Sequence, residues 1–234
     1  MAEAKVLTKK DVQKAALTWF VSSHMTYNYQ RLQAGAMTSM LGPVFQKLYG
    51  DNKEKIIEGC QRQMLYFNTE PRWGAIIPGM VVALEEAYAT DPEGGVDGGL
   101  ITEIKTALMG PLAGIGDTVW AGLMKPIFLS ITLAWAMQGM IAGAWAYWLL
   151  AFGFDFGITY YMFMRGYKLG ADSVDRFLEG GFVKTVTTAI GIVGMFCLGA
   201  MIVKYVGISA VLKIEMTTTT LDFGAILNKI VPSF

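Results

Sequence analysis

The sequence predicts an all-α, polytopic membrane protein that combines transmembrane helices, short broken or re-entrant helices and amphipathic surface helices. Three observations lead to this fold class. Hydrophobic residues make up 53% of the 234 residues and charged residues only 16%, whereas a typical soluble domain carries about 25% charged residues. Glycine is abundant, with 27 residues, as in closely packed membrane helices. Two stretches free of charge are long enough for membrane spans.

The N-terminal part of the chain is predicted to form polar and amphipathic helices. Residues 1–14 are polar and lack the apolar core and cleavage site of a signal peptide, so we expect the chain to begin in the cytoplasm or at the membrane surface. Residues 9–24 can form a helix whose apolar side lies on the membrane. Residues 45–66 resemble a pair of surface helices. Residues 90–99 contain a proline, two glycine pairs and acidic residues, which is typical of a loop.

Two apolar runs are too short to cross a bilayer. Residues 73–84 contain Pro78-Gly79, and residues 107–116 contain Gly110-Pro111. Short, interrupted segments of this kind occur as re-entrant helices where protein or a water-filled cavity covers the backbone. In transporters, such broken helices line the substrate site. Two buried helices of a soluble cap would explain the same pattern equally well.

The longest stretch without charge predicts a hairpin of two membrane helices. Residues 126–154 carry no charge, and Asp155 is the only charged residue before position 165. Lys125 precedes the stretch, and Arg165 and Lys168 follow it. By the positive-inside rule, both ends then face the cytoplasm, as a hairpin requires.

The turn of this hairpin is expected within residues 138–143. This segment either forms a tight turn or, through Gly139 and Gly143, supplies a packing face between helices. A second stretch, residues 185–203, has no charge and lies between two lysines. Its length just reaches that of a span, and its direction stays open.

The stretch ALMGPLAGIGDTVWAG, residues 107–122, raises the question of a nucleotide site. A Walker A loop requires Lys-Ser or Lys-Thr after its last glycine, but Gly116 is followed by Asp117, whose charge would repel phosphate. The dinucleotide motif GxGxxG also fails, because its third glycine is missing. We therefore predict that Gly110, Gly114 and Gly116 allow close helix packing, and that Asp117 caps the next helix.

No catalytic, metal or cofactor site is recognisable in the sequence. The single histidine, His24, has no neighbouring cysteine or acid, and no HxxE, CxxC or GxSxG motif occurs. Cys60 and Cys197 lie too far apart for metal-ligand spacing and are expected to be free, buried thiols. The net charge is zero and no basic tract occurs, which argues against a nucleic-acid partner.

Two polar clusters have the chemistry of a sugar-binding site. Asn28 and Gln33 belong to TYNYQRLQ, and Asn68, Thr69 and Glu70 belong to YFNTEPRW, directly before the first short apolar run. Amides and carboxylates can pair with the donors and acceptors of neighbouring sugar hydroxyls, and the aromatic residues of both stretches can stack on a sugar ring. Spacing alone favours the alternatives, namely anchoring of the aromatic residues at the bilayer interface and a helix cap at Asn68-Thr69.

Several of these stretches together resemble a known family. YNYQRLQ, YFNTEP, VALEEAY, ALMGPLAGIGD and WAGLMKPIF occur in this order. From about Thr8 to Phe234, the chain is similar to the D subunits of the mannose/fructose/sorbose family of the bacterial sugar phosphotransferase system. The resemblance implies a subunit that pairs with a C subunit to bind and translocate a sugar. It also implies that separate A and B subunits carry the phosphoryl group, with the phosphohistidine donor on the B subunit, so that this chain needs no catalytic residue.

The resemblance also implies location, assembly and site residues. We expect a multi-pass protein of the bacterial cytoplasmic (inner) membrane, in contact with lipid, in a higher oligomer of C–D pairs. Asn28 and Gln33 match the family's WNFERMQ-like stretch, and Asn68 and Thr69 match its FNTQP-like stretch. The match favours a role for them, together with Glu70, towards the sugar or the C subunit. The glycine loop around Asp117 is then structural or part of the carrier interface.

The chain departs from the family at several positions. Tyr27 stands where many relatives have tryptophan, Glu70 where many have glutamine, and Arg72 where apolar residues are common. The acid at position 70 makes amino sugars candidate substrates. Residues 1–234 are predicted to form a single membrane D-subunit domain that lacks the C-terminal helices of relatives.

Two other functions stay open at this point. The chain could be a structural membrane scaffold, with all sugar contacts made by the C subunit. It could also be an autonomous channel or transporter, but few intramembrane charges are present to define a pathway.

Overall fold

The computed structural model describes residues 6–93, 95–172, 213–215 and 220–222. It also describes the helical residues 185, 188–189, 191–192, 195–196 and 199. The helices are α1 (Lys9–Ser22), α2 (Ala34–Tyr49), α3 (Lys53–Gln63), a 3-10 turn (Trp73–Ala75), α4 (Ile76–Thr90), α5 (Gly98–Val119), a π-helical turn (Trp120–Met124), α6 (Lys125–Met137) and α7 (Ala142–Asp172).

Two short antiparallel strands, β1 (Lys213–Glu215) and β2 (Thr220–Asp222), form a hairpin with Ile214 opposite Leu221. Apart from this hairpin, the described part of the chain that has regular structure is helical, and the predicted all-α class is confirmed. Cys197, much of the second predicted span and residues 223–234 lie outside the described residues.

Helix α4 is the central helix of an N-terminal helical body. Every residue from Ile77 to Ala87 is buried, and α1, α2, α5 and α7 all pack on it. The Pro78-Gly79 pair lies in the first turn of α4, where a missing backbone N–H costs no helical hydrogen bond. Residues 76–84 of this run therefore lie in one unbroken helix, α4, which starts directly after the 3-10 turn, and the prediction of a break at Pro78-Gly79 was wrong.

Glycines bring the backbones of α4 and α7 into direct contact. A Cβ atom on Gly79 would lie 2.1 Å from the carbonyl oxygen of Phe163, and one on Gly166 would lie 2.0 Å from that of Ile76. Because no side chain fits between the two helices there, the close approach depends on both glycines.

The glutamates of the VALEEAY stretch are buried and fully engaged. Glu85 accepts hydrogen bonds from Arg62 Nε at 3.0 Å and Nη2 at 2.7 Å, so that α3 is held to α4 by a forked ion pair. Glu86 accepts from the backbone N–H of Leu7 at 2.7 Å and from the hydroxyl of Tyr167 at 2.6 Å. Glu86 therefore joins the N-terminal segment, α4 and α7.

A continuous helical stretch runs from Gly98 to Met137 through α5, the π-helical turn and α6. Within the part of the chain that the structure describes, it is the one helix whose length and composition would allow it to cross a membrane. Its 40 residues correspond to about 60 Å, roughly twice the hydrocarbon core of a bilayer.

Two predictions for the glycine-rich stretch were wrong. Residues 107–116 are not a broken re-entrant segment, because α5 continues through Pro111 to Val119. Asp117 is not a helix cap, because it lies inside α5; the cap is Asp97, whose carboxylate accepts from the backbone N–H of Leu100 at 2.7 Å. Residues of high helix propensity, Ala107–Met109 before and Leu112–Ala113 after, continue the helix although Pro111 loses one backbone hydrogen bond.

Two helices joined by a turn are present where the sequence predicted a hairpin. Helices α6 and α7 are joined by residues 138–141, and Gly139 has a φ of +74° in the left-handed region that favours glycine. A Cβ atom on Gly143 would lie 2.7 Å from the carbonyl oxygen of Thr132. The tight turn is therefore confirmed at Gly139, whereas of the two glycines proposed as a packing face only Gly143 packs, against α6.

Candidate functional site

The two polar stretches predicted from the sequence meet in the structure. The backbone N–H of Gln33 donates to the carbonyl of Phe67 at 2.9 Å. The side chain of Gln33 donates to the carbonyl of Thr69 and accepts from its backbone N–H, both at 2.9 Å. Gln33 is fully buried, so its amide replaces a backbone partner and holds residues 67–69 against the start of α2. Both polar ends of the Gln33 amide are therefore engaged within the protein.

Thr69 is also turned inward. It is buried, and a Cβ atom on Gly74 of the 3-10 turn would lie 2.3 Å from its Oγ1. The side chain of Thr69 therefore packs against the turn that begins α4, and within the described residues its hydroxyl has no hydrogen-bond partner.

Asn28 and Asn68 are accessible. The Oδ1 of Asn28 accepts from the backbone N–H of Arg31 at 2.8 Å and closes an exposed turn. Asn68 is half-buried, and its Oδ1 accepts from the hydroxyl of Tyr27 at 2.5 Å. No described residue accepts a hydrogen bond from the Nδ2 of Asn68, so this N–H₂ group can donate to a ligand.

Glu70 and Arg72 form an ion-paired network with Asp155 of α7. The buried carboxylate of Glu70 accepts from Arg72 Nη1 at 2.7 Å and from the backbone N–H groups of Arg72 and Trp73 at 3.0 and 2.9 Å. The guanidinium of Arg72 also donates to both oxygens of Asp155, through Nε and, at 2.9 Å, through Nη2. Two carboxylates therefore share one guanidinium, and both oxygens of Glu70 are engaged within the protein.

The same guanidinium contacts the π-helical turn. It lies 4.2 Å from the ring centroid of Trp120, in the range of cation–π contacts, and Trp120 stacks on Phe154 at 5.7 Å. A Cβ atom on Gly116 would lie 2.6 Å from the Cβ of Glu70. Gly116 thus lets α5 approach the network, whereas a Cβ atom on Gly110 would meet open space.

Aromatic and titratable side chains border the network. His24 stacks on Tyr27 with ring centroids 6.1 Å apart. Partial burial and the charge of Arg72 lower the pKa of His24, while Glu70 and Asp155 oppose this effect. Burial, together with the neighbouring Tyr66 and Asp117, raises the pKa of Tyr27.

The accessible polar groups at this site are the amides of Asn28 and Asn68, the phenol of Tyr27 and the carboxylate of Asp117. Aromatic rings border them. Such groups suit a neutral polyhydroxyl ligand. Sequence reasoning missed the pairing of Arg72 with Asp155, although a lone charge in a long apolar stretch is itself a signal of a functional position.

Gln33→Ala is expected to lower the stability of the protein. The substitution leaves the backbone N–H and C=O of Thr69 unpaired in the interior, at about 1–3 kcal/mol for each buried group. Thermal unfolding of the purified protein measures the effect, with the exposed Gln30→Ala as control. If Gln33→Ala melts at the same temperature as Gln30→Ala, the amide does not hold this segment.

Comparison with known proteins identifies one family. The family model of the PTS system mannose/fructose/sorbose family IID component matches residues 6–234. The mannose-specific EIID component of Escherichia coli K12 is 32% identical over 217 residues, which cover 92% of this chain and 74% of that protein. The fructose permease IID component of Bacillus subtilis 168 is 32% identical over 212 residues, which cover 89% of this chain and 74% of that protein.

Solved structures extend the similarity to the fold. The cryo-EM structure of the mannose transporter ManYZ in complex with microcin E492 contains a chain that is 30% identical and superposes with a TM-score of 0.79, covering 99% of this chain and 85% of that chain. A second structure, described as that of a membrane protein, superposes with a TM-score of 0.65 at 31% identity and covers 97% of this chain and 84% of that chain. The similarity therefore spans nearly the whole chain.

Proposed function

We propose a detailed function from one premise: this chain belongs to the IID component family of the mannose/fructose/sorbose phosphotransferase system and is a membrane permease subunit of that system. With its C subunit, it binds and translocates a sugar. The sugar is phosphorylated on entry: one of its hydroxyl oxygens forms a bond to the phosphorus carried by a histidine of the B subunit, the P–N bond breaks, and the released histidine nitrogen takes up the hydroxyl proton. The A subunit recharges that histidine, and the chain itself contributes no catalytic group.

Three segments of the chain meet at Arg72, and this convergence carries the proposal. Arg72 and Glu70 belong to the segment before α4, Asp155 lies on α7, and Trp120 lies in the π-helical turn. Asp155 lies 13 residues after Ala142, the first residue of α7, or about 20 Å along the helix. We propose that the hairpin turn lies at one membrane surface; a depth of about 20 Å is then within a hydrocarbon core of about 30 Å, which supports an ion pair inside the membrane. Ionisable side chains at this depth usually mark a substrate pathway.

The exposed apolar residues of the hairpin support this placement. Leu129, Leu133, Trp148 and Leu149 are all exposed on α6 and α7, as expected for surfaces that face lipid or another membrane subunit. We propose a multi-pass protein of the bacterial cytoplasmic membrane that acts in a higher oligomer of C–D pairs, with residues 1–234 as one membrane domain.

We assign the direct sugar contacts to the accessible groups. The free N–H₂ of Asn68 donates to a sugar hydroxyl, Asn28 contributes from the adjacent turn, and the carboxylate of Asp117 accepts. Gln33, Thr69 and Glu70 act indirectly, because they fix the segment that carries Asn68. This division revises the set proposed from the sequence, in which all of these residues except Asp117 were candidates for direct contact.

Asn68→Ala is expected to weaken sugar binding roughly tenfold to hundredfold, because a buried sugar hydroxyl loses its partner. Titration calorimetry on the purified C–D pair measures the affinity, and size-exclusion chromatography checks that the pair stays assembled. Gln61→Ala, an exposed amide on α3, is the matched control.

Unchanged affinity of an intact Asn68→Ala pair would contradict the assignment. The scaffold function would then apply, with every sugar contact on the C subunit. Asn28→Ala should act in the same direction as Asn68→Ala if the accessible amides work together.

A further inference from the structure

A basic pocket lies between the start of α4 and the C-terminal part of α7. It has a volume of about 390 Å³ and is lined by Arg165, Lys168 and Tyr161, by the apolar residues Ile76 and Leu169, and by Asp172 at its end. The sugar site does not include these residues. We propose that this pocket binds the phosphate of an anionic phospholipid, whose acyl chain lies along α7.

The two cations of the pocket are available to a ligand. Arg165 and Lys168 are exposed and lie one helical turn apart on the same face of α7. Among the described residues, neither forms an ion pair, and Asp172 is not within 4.0 Å of either charge. The Nε of Arg165 donates to the hydroxyl of Tyr161 at 3.1 Å and so orients the guanidinium, and no described residue accepts a hydrogen bond from its Nη groups.

The position along α7 fits the headgroup layer. Arg165 and Lys168 lie 23 and 26 residues after Ala142, or about 35 and 39 Å along the helix. A bilayer has a core of about 30 Å and a total thickness of about 40–45 Å. With the hairpin turn at one surface, both cations reach the headgroups of the opposite leaflet. The positive-inside rule makes this the cytoplasmic leaflet, where anionic lipids are concentrated.

An open strip continues from the pocket along the same face of α7. Tyr161, Gly157 and Gly153 precede Arg165 at intervals of four residues, so they lie on the same face of α7. Both glycines are exposed, and a Cβ atom on either would meet nothing within 4 Å. The strip gives an acyl chain a flat surface next to the phosphate position. This continuity favours a lipid over a soluble phosphate, which would use the two cations alone.

Charge-assisted hydrogen bonds from Arg165 Nη and Lys168 Nζ to phosphate oxygens account for headgroup recognition. Phosphatidylglycerol therefore binds more tightly than phosphatidylcholine with the same acyl chains, since choline returns a positive charge to the headgroup. Neutralising both cations lowers the affinity for the anionic lipid roughly thirtyfold. The preference for this lipid is then lost.

The test uses the purified C–D pair, stripped of lipid in a neutral detergent, with lipid binding followed by native mass spectrometry and by thermal unfolding. Arg165→Gln/Lys168→Gln should lose the preference for phosphatidylglycerol. Arg165→Lys/Lys168→Arg should keep it, and Lys53→Gln/Lys55→Gln on α3 serves as the control for surface charge. Equal binding of the two lipids by the unchanged pair, or an unaffected double glutamine variant, overturns the proposal.

Two further measurements distinguish a bound lipid from other occupants of the pocket. Inorganic phosphate and glycerol phosphate should neither raise the unfolding temperature nor compete with the lipid; if they do, the pocket is a site for soluble phosphate. Gly157→Leu should reduce phosphatidylglycerol binding and leave the pair assembled, because it fills the strip. Dissociation of the pair by Gly157→Leu would instead make the strip a contact with the C subunit and overturn the lipid assignment.

Discussion

Asp155→Ala is expected to destabilise the folded protein by about 3–5 kcal/mol, the loss typical of a buried ion pair that is left with one partner. The guanidinium of Arg72 is only 17% exposed and would keep Glu70 as its sole carboxylate. Its stacking on Trp120 cannot replace the lost charge. The midpoint of thermal unfolding of the purified C–D pair, followed by fluorescence-detected chromatography, measures the effect.

A double-mutant cycle separates pairing from simple loss of the residue. Arg72→Leu/Asp155→Leu should lose less stability than the sum of the two single variants, because neither Arg72 nor Asp155 is then left without the other. Recovery is incomplete, because the buried carboxylate of Glu70 loses its cation in the double variant as it does in Arg72→Leu. Glu103→Ala removes an exposed carboxylate from α5 and should change the midpoint little. Additive losses in the double variant would show that Arg72 and Asp155 do not act as a pair.

Gly166→Ala is expected to cost about 3 kcal/mol, at the upper end of the range for overpacking. The added methyl group would lie 2.0 Å from the carbonyl oxygen of Ile76. A backbone atom cannot rotate away as a side chain can, so α4 and α7 must separate. Since α4 lies at the centre of the N-terminal body, the separation exposes part of the core.

Gly42→Ala is the matched control for this substitution. Gly42 also lies in the interior of a helix, but a Cβ atom there meets nothing within 4 Å. This change should be neutral or stabilise α2 by up to about 1 kcal/mol. If Gly166→Ala unfolds at the same temperature as Gly42→Ala, the two helices are not held at the distance that the structure shows.

The helical hairpin could be predicted because it depends on a local quantity, the absence of charge over a long stretch. The predicted breaks in α4 and α5 are wrong because proline and glycine inside an apolar run do not always interrupt a helix. Pro78 lies in a first turn, where no hydrogen bond is lost, and Gly79 is required by α7. Only the packing of the folded chain distinguishes a glycine that ends a helix from one that admits a neighbour.

The candidate site was predicted in part. The sequence indicated both polar stretches, and the structure brings them together. The inward direction of Gln33 could not be predicted, because its partner is the backbone of Thr69, which has no sequence signature. The Arg72–Asp155 pair joins positions 83 residues apart, and each position was noticed separately without an indication that they meet.

The contacts of Glu86 bear on the order in which parts of the protein fold during its synthesis. Its partners Leu7 and Tyr167 lie 79 and 81 residues away along the chain, one before it and one after it. At about 5–20 residues per second, a ribosome needs about 4 to 16 s to proceed from Glu86 to Tyr167. During this interval the glycine-bearing face of α4 has no α7 to cover it. The N-terminal body must therefore remain incomplete on the ribosome until the helical hairpin has been synthesised, and its final closure is a late event of biogenesis.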